Sequence, residues 1–563
     1  MKRSVTIAVI LASLVILVWV FAQAPANAPA DLARLTPAGP LLYVEAKDFG
    51  ALLRDWNNSQ EKKVWLAGDN FQVFSRSRLY LKLQQAQTEF AAAAGLPPNM
   101  DLLNNVAGGQ SALAIYDIGK LEFFYITRMP SDRFAGGALW KMRGNYQPRR
   151  SSGIDYYIKT DPASKRVAGF AAAKDYVVLA TREDVLAGAL SLIAAQAGSS
   201  VGAEPWFDRT VREAKPAGEL RMVMNFEKLS RSPHFRSYWI QQNITELKQY
   251  SAAIADASRA AGELRENRVL IRSAEIAPDW NEAALGEVLR VAPATAGMYR
   301  AWAAPSSEQA FALIQQKLLA PQRPAQAPSK TAPTVALGDG VVGVEADLET
   351  RIDEPPLEIG GKPIGAELSK LLDAAKLEAM LSVGSSRVQA DGVFVSVDSG
   401  VALLAASNWD AAAVRNAVGA AVANVLTMGG VRWVDRRAGS NSYAELDGLA
   451  PLAIATSGRL LLLANRRELL EAMLAGLSNQ PGAAARYAAA YRHSRELPNF
   501  VKMMRLIDNP LNKEAAQQDP PEPAFFSGNI ASLGQALARI DSESIVVHDS
   551  GATVTHSLVY KLK

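Results

Sequence analysis

Residues 169–190 return without a gap as residues 453–474, 284 positions later. The first stretch reads GFAAAKDYVVLATREDVLAGAL and the second AIATSGRLLLLANRRELLEAML. Six of the 22 positions are identical, and most of the others keep their apolar or polar character. Repetition on this scale marks one supersecondary unit used twice. It also offers two equivalent places in which to look for active-site residues, and neither holds a recognisable set.

The repeated unit extends upstream. Segments 111–117 and 121–127 alternate and predict a hairpin around 118–120. In the second copy, 393–398 and 401–407 predict a hairpin about a Ser399-Gly400 turn. A helix is expected after each, over 131–142 and 410–427, with Ser131 and Asp410 as N-caps. Next come Tyr146 to Ser151 and Trp433 to Ala438, which align without a gap, carry the pairs Arg149-Arg150 and Arg436-Arg437, and reach Tyr156 and Tyr443 together. Strands 167–173 with 176–181, and 452–456 with 460–465, follow, and helices 183–195 and 467–477 close the units. The predicted unit is β-β-α-β-β-β-α, its short turns demanding a largely antiparallel sheet with helices on one face. The fold class expected is therefore α+β in two similar halves.

Weaker strand-then-helix patterns at 41–53, 220–229, 297–319 and 524–533 are expected to add edge strands. A stripe of Ile240, Ile244, Leu247, Ile254 and Ala261 predicts a long helix over about 235–265. Another helical stretch is expected over 483–504, and a final hairpin over 544–561. The Pro/Ala-rich segment 321–333 reads as a linker. The resulting plan is a leader and tether (1–30), a first half (31–232), a helical segment (233–267), a strand-helix connector with the linker (268–334) and a second half (335–563).

The leader sets the expected compartment. Lys2 and Arg3 precede an uncharged run from Val5 to Ala22. Charge followed by hydrophobe is the pattern of a signal peptide or an N-terminal anchor, and the run is near the lower limit for crossing a bilayer. It reads as an uncleaved anchor, with cleavage after Ala22 as the alternative. Either way Lys2 and Arg3 stay in the cytoplasm and the body is translocated.

Composition excludes several chemistries. Lys plus Arg is 60 against 56 Asp plus Glu, so the charge of +4 gives no footprint for nucleic acid. The chain has no cysteine, which removes disulfides, thiolate nucleophiles and Cys-based metal sites. Its four histidines, His234, His493, His548 and His556, have no metal-binding spacing. No cofactor or metal is expected.

Several constellations invite a functional reading. Gly338-Asp-Gly-Val-Val-Gly343 matches a dinucleotide fingerprint, but the alternating 344–352 segment after it reads as a strand, whereas the pyrophosphate needs a helix N-terminus. Glu345, Asp347 and Glu349 would share one strand face, which is expected to be solvated. His548-Asp549-Ser550 has the letters of a hydrolase triad, but adjacent residues on a strand cannot make triad geometry. The paired arginines, Arg149, Arg150, Arg436 and Arg437, are candidate contacts for an anion or a partner because both copies carry them; an exposed turn is the competing reading. Trp56, Trp65, Phe71, Phe74 and Tyr80 could line a groove or form a core.

The pairing of LLYVEAKDFGAL (41–52) with DYVVLATREDVLAGAL (175–190) resembles a bacterial envelope family catalogued as domain of unknown function 3352. The likeness spans about residues 35 to 480 and rests on diffuse strand-helix patterns, from which the Pro-rich 321–333 segment departs. The resemblance implies an N-terminal anchor or signal, an extracytoplasmic α+β body, and no catalytic residues to carry over. The expectation is a non-enzymatic, membrane-tethered protein of the inner membrane, tethered through 5–22, whose periplasmic body meets an envelope protein or lipid. The alternative is a carrier or chaperone for apolar cargo, held between the sheets and the 235–265 helix. The third is an unrecognised hydrolase.

Overall fold

The computed structural model describes residues 31–68, 71, 75–76, 78–196, 198–214, 217–233, 247–319, 358–359, 362–363, 365–389, 395–423, 426–427, 430–508 and 538–563. The leader, the Pro-rich linker, the 338–343 glycines, the carboxylates Glu345, Asp347 and Glu349, and the 524–533 pattern lie outside these residues. The described chain divides into two units: residues 1–57 with 82–256, and residues 58–81 with 257–563.

The strands of the first unit are β1 (Leu42–Ala46), β2 (Ser111–Asp117), β3 (Glu122–Arg128), β4 (Gln147–Ser151), β5 (Ile154–Thr160), β6 (Val167–Ala173), β7 (Tyr176–Ala180) and β8 (Leu220–Asn225). They pair, all antiparallel, in the order β8-β1-β2-β3-β7-β6-β5-β4. After β9 (Tyr250–Ala260) and β10 (Glu263–Arg272) come β11 (Met298–Ala303), the two-residue β12 (Glu358–Ile359) and β13 (Lys362–Pro363), β14 (Leu377–Val388), β15 (Val395–Ala405), β16 (Trp433–Ala438), β17 (Asn441–Leu446), β18 (Ala453–Ser457), β19 (Leu460–Ala464) and β20 (Tyr487–Tyr491). The order in the second unit is β20-β11-β14-β15-β19-β18-β17-β16, again antiparallel. Eight strands thus repeat with one topology. β21 (Ile540–Asp549) and β22 (Thr553–Leu562) form the expected final hairpin, and the second ladder continues through β20-β21-β22-β10.

The repeat is richer than predicted. Four strands, not three, follow the inner helix of each copy. The supposed edge strands β1 and β11 are each flanked on both sides. In the second copy, 399–400 is not a turn: β15 runs straight through it and its hairpin partner is β14. Gly400 is small for packing rather than for turning, since a Cβ there would meet Met473 Sδ at 2.7 Å and Val383 Cγ2 at 2.9 Å. Asp410 caps the 411–422 helix as expected, accepting from the N–H groups of Ala412 and Ala413. The 131–142 helix is instead two short helices, Ser131–Ala135 and Ala138–Lys141, interrupted at Gly136-Gly137 with Pro130 in the cap position. Glycine pairs break helices because they cost backbone entropy without offering packing.

The largest correction concerns 233–267. Tyr250–Ala260 and Glu263–Arg272 are strands, joined at Gly262 with φ of 73°; Ile240 and Ile244 lie outside the described residues. Alanines at 252, 253, 255, 257 and 260 give helical propensity, but tertiary pairing wins. Asp256, 4% exposed, holds Arg221 of β8 through two oxygens at 2.8 and 2.9 Å, and β10 finds a nine-residue ladder on β22. Likewise, 483–504 contains strand β20 before the His493–Asp508 helix begins.

Helices cover both faces of the second sheet, not one. Leu381, Val383, Ala402 and Leu462 face helices Glu282–Leu289 and Arg467–Ala475. Met380, Leu403, Leu461 and Leu463 face helices Ser307–Ile314, Ala366–Ala375 and Ala411–Val422. In each copy a buried tyrosine latches sheet to closing helix. Tyr156 donates to Glu183 at 2.9 Å, and Tyr443 donates to Glu471 at 2.6 Å. Burial and Glu471 push the Tyr443 hydroxyl up to about 12, so it stays a donor across the physiological range. Tyr443→Phe should cost about 1.5 kcal/mol, at the low end for bonds to charged groups because the carboxylate can rehydrate. A fall in Tm with an unchanged far-ultraviolet spectrum is the expected reading.

Candidate functional site

The two faces of the first sheet are covered unequally. On one face, Tyr43, Phe124, Ile126 and Val178 are completely buried, and Tyr43 meets Phe207 edge-on at 5.3 Å. On the other face, Val44, Leu113, Ile115, Phe123, Tyr125 and Leu179 are only half-buried. These side chains alternate with the buried ones, as strand geometry requires. Above them, helices Arg78–Ala94 and Met100–Val106 span the sheet and leave a cavity of about 590 Å³.

The cavity exists because the helical wall is small there. Ala86 and Ala93 line it beside Leu83 and Phe90, and Leu102 and Val106 complete that side. Beyond Phe90 and Leu102 the same face becomes a solid core around Phe134, Tyr146 and Phe170. The second unit supplies an internal control. Leu179 and Leu463 occupy one position of the repeat (463 − 179 = 284), but Leu463 is fully buried in a core shared with Ile314, Leu368, Leu372, Val414 and Val418 of three helices. The face that is packed in the second half is hollow in the first.

The mouth is apolar too. Leu83, Leu103 and Leu220 are 46%, 36% and 40% exposed and all line the cavity. Its few polar groups are mostly satisfied by the protein. The Tyr125 hydroxyl donates to Val106 O at 2.9 Å, and burial raises it above its ordinary value. Ser111 donates to Gly109 O and lies 2.6 Å from Thr127 Oγ1. Thr181 accepts from Phe123 N at 2.8 Å. The charged lining residue is Arg166, whose Nε and Nη2 lie 2.8 and 2.7 Å from Glu89 Oε2 on the overlying helix. The guanidinium holds the Glu89 carboxyl below its usual value.

Among the described residues lining this cavity there is no His, Asp or Glu. Among the described residues, no group of three His, Asp or Glu could hold an ion. The triad letters separate as expected: His548 Nδ1 meets Glu282 at 2.9 Å, Asp549 pairs with Arg272, and Ser550 bonds Thr553.

The arginine pairs lie elsewhere, on β4 and β16. Among the described residues, β4 pairs only with β5 and β16 only with β17. Both are therefore the outer strands of their ladders. Arg149 meets Glu183 at 3.3 Å, Arg150 meets Asp155 at 3.4 Å, Arg436 meets Glu445 at 3.0 Å, and Arg437 is exposed. Charge on an outer strand, with Pro148 also removing a donor from β4, protects an open ladder against pairing with another chain. Arg149, Arg150 and Arg436 each pair with a carboxylate of their own unit. Arg436→Val with Arg437→Val should leave folding within about 0.5 kcal/mol yet produce concentration-dependent association in light scattering.

The aromatic group is also separate from the cavity lining. Trp65, Phe71 and Tyr80 pack edge to face at 6.2 Å; Phe74 lies outside the described residues. Nothing in composition or spacing singled out Leu179, Phe123 or Arg166. The one available signal was the alanine-rich 86–94 helix above a strand-rich half.

Among the described residues, no helix is long and apolar enough to cross a membrane; the 5–22 run lies outside them. No family model and no curated protein matches the chain. Among solved structures, three crystal forms of TP0453 match. Form I has 13% identity and a TM-score of 0.23, covering 45% of this chain and 82% of that one. Form IV has 10% identity and a TM-score of 0.24, covering 44% and 82%. Form III has 11% identity and a TM-score of 0.23, covering 44% and 83%. Scores this low carry no functional argument.

Proposed function

We propose that this chain is a non-enzymatic binding protein of the bacterial envelope whose first half holds an apolar molecule. Its expected membership of the domain-of-unknown-function 3352 family, its tether at 5–22 and its extracytoplasmic body belong to the same proposal. One observation carries the binding reading: a cavity of about 590 Å³ with an exposed leucine lip, at a place where the sister half is filled. Its volume is typical of ligand sites, and apolar lining with few polar groups is the usual composition of such sites.

The cavity favours a carrier over a pure scaffold. It sits inside one half, however, and not between two sheets and a 235–265 helix. The hydrolase reading gains no support from the cavity lining, which offers no nucleophile paired with a base.

The test is extraction of the chain purified from its own membrane, followed by mass spectrometry, together with titration of an environment-sensitive apolar dye. A stoichiometric apolar compound and saturable one-site dye binding are expected. Extracts no richer than those of an unrelated membrane protein, with no saturable dye signal, would refute the reading.

A further inference from the structure

We infer that the cavity's ligand is a single-chain amphiphile with an anionic head, its head lying at Arg166 and its tail between the 78–94 helix and the sheet. This rests on the binding reading above and names its ligand class.

The size argument comes first. A methylene takes about the 30 Å³ share of a water molecule in the liquid, so about 590 Å³ accommodates about twenty carbons. That suits one acyl chain and is too small for two of ordinary length.

The polar inventory then places the head. Tyr125, Ser111 and Thr181 spend their hydroxyls on the protein's own backbone or on each other. Beside the exposed Gln87, that leaves Arg166. Its guanidinium is bonded to Glu89 alone among the described residues, and both contacts fall on one carboxylate oxygen. A guanidinium has five N–H donors in a planar fork, so the remaining donors are available to a carboxylate or phosphate, which the fork fits bidentately. The Arg166 and Glu89 side chains are each a quarter exposed, at the boundary between apolar interior and water where an amphiphile's head must lie. Glu89 in turn competes with any incoming anion for the same cation.

That competition gives a diagnostic sign. Full-length chain held in amphipol is titrated with palmitate, with 1-palmitoyl lysophosphatidate and with uncharged hexadecanol, each below its aggregation threshold. Arg166→Gln should weaken both anions about tenfold or more, the range of a charge-assisted bond, and leave hexadecanol unchanged. Glu89→Gln removes the competitor and should tighten the anions several-fold, a direction that mere loosening of the helix would not produce. Arg166→Lys should restore part of the binding. A preference for one anion decides between a free fatty acid and a phosphate-headed lipid. If Arg166→Gln leaves anion binding intact, or weakens all three compounds alike, the head-group inference is overturned while the cavity reading stands. If hexadecanol alone binds the native chain, the inference fails in the same way. If none binds, the cavity reading falls with it.

Discussion

Ala86→Trp should reduce uptake of an apolar ligand about a hundredfold while the protein stays folded. Ala86 lies on the 78–94 helix and contributes a bare methyl group to the cavity wall. An indole there would displace about four ligand methylenes. At about 0.8 kcal/mol each, that removes about 3 kcal/mol, or about two orders of magnitude in affinity. Filling a hollow is commonly neutral or stabilising for the host, so Tm should hold or rise. Calorimetric titration beside thermal unfolding separates the two effects. Undiminished binding with a folded variant would place the ligand elsewhere. If Ala86→Trp perturbs the helix, Ala86→Leu should give a smaller loss in the same direction.

Gly297→Ala is expected to be strongly destabilising for a single added methyl group. Gly297 precedes β11, and its N–H donates to Ser385 Oγ at 3.0 Å. A Cβ there would overlap Glu496 Oε1 and Cδ. Glu496 is 2% exposed, and its other oxygen accepts from Ser386 N at 2.8 Å. The carboxylate would have to leave its site, sacrificing that bond and disturbing the packed helix. Overpacking and a lost buried bond together cost about 3 kcal/mol or more. For a unit of this size that is a fall of about 4 °C in its unfolding transition. Glu496→Ala in the same chain should recover part of the loss, because it vacates the space the methyl needs, and a double-mutant cycle measures the coupling. A single variant within about 0.5 kcal/mol of the native protein would contradict the close approach.

Much of the repeated core was legible in the chain itself. Strands β2, β3, β6, β7, β18 and β19 and the helices closing each unit follow from alternation, turn residues and an ungapped likeness. Asp410 was readable as a cap because the capping bond is local. The errors share a cause. The alanine-rich 250–260 segment has helical propensity but becomes strand through Arg221, a partner 35 residues away from Asp256 in sequence. The Ser399-Gly400 pair looks like a turn in isolation, but Gly400 is there for Met473 and Val383. Glycine signals both a turn and a tight contact, and only the neighbours distinguish them.

The arginine pairs were legible as a recurrence, and the structure places each pair on the outer strand of its ladder, where charge guards an open edge. Arg166 occurs once, and its interest depends on Glu89, which approaches it from a different element.

The amino-acid order alone determined that one α+β unit is built twice, because strand periodicity, turn chemistry and helix caps are settled by neighbours along the chain. Whether each copy is solid or hollow was decided in three dimensions. Leu179 and Leu463 are the same residue at the same repeat position, yet one lines a cavity and the other is packed. The difference lies in what distant segments place against them, small alanine side chains in the first half and leucines and valines in the second.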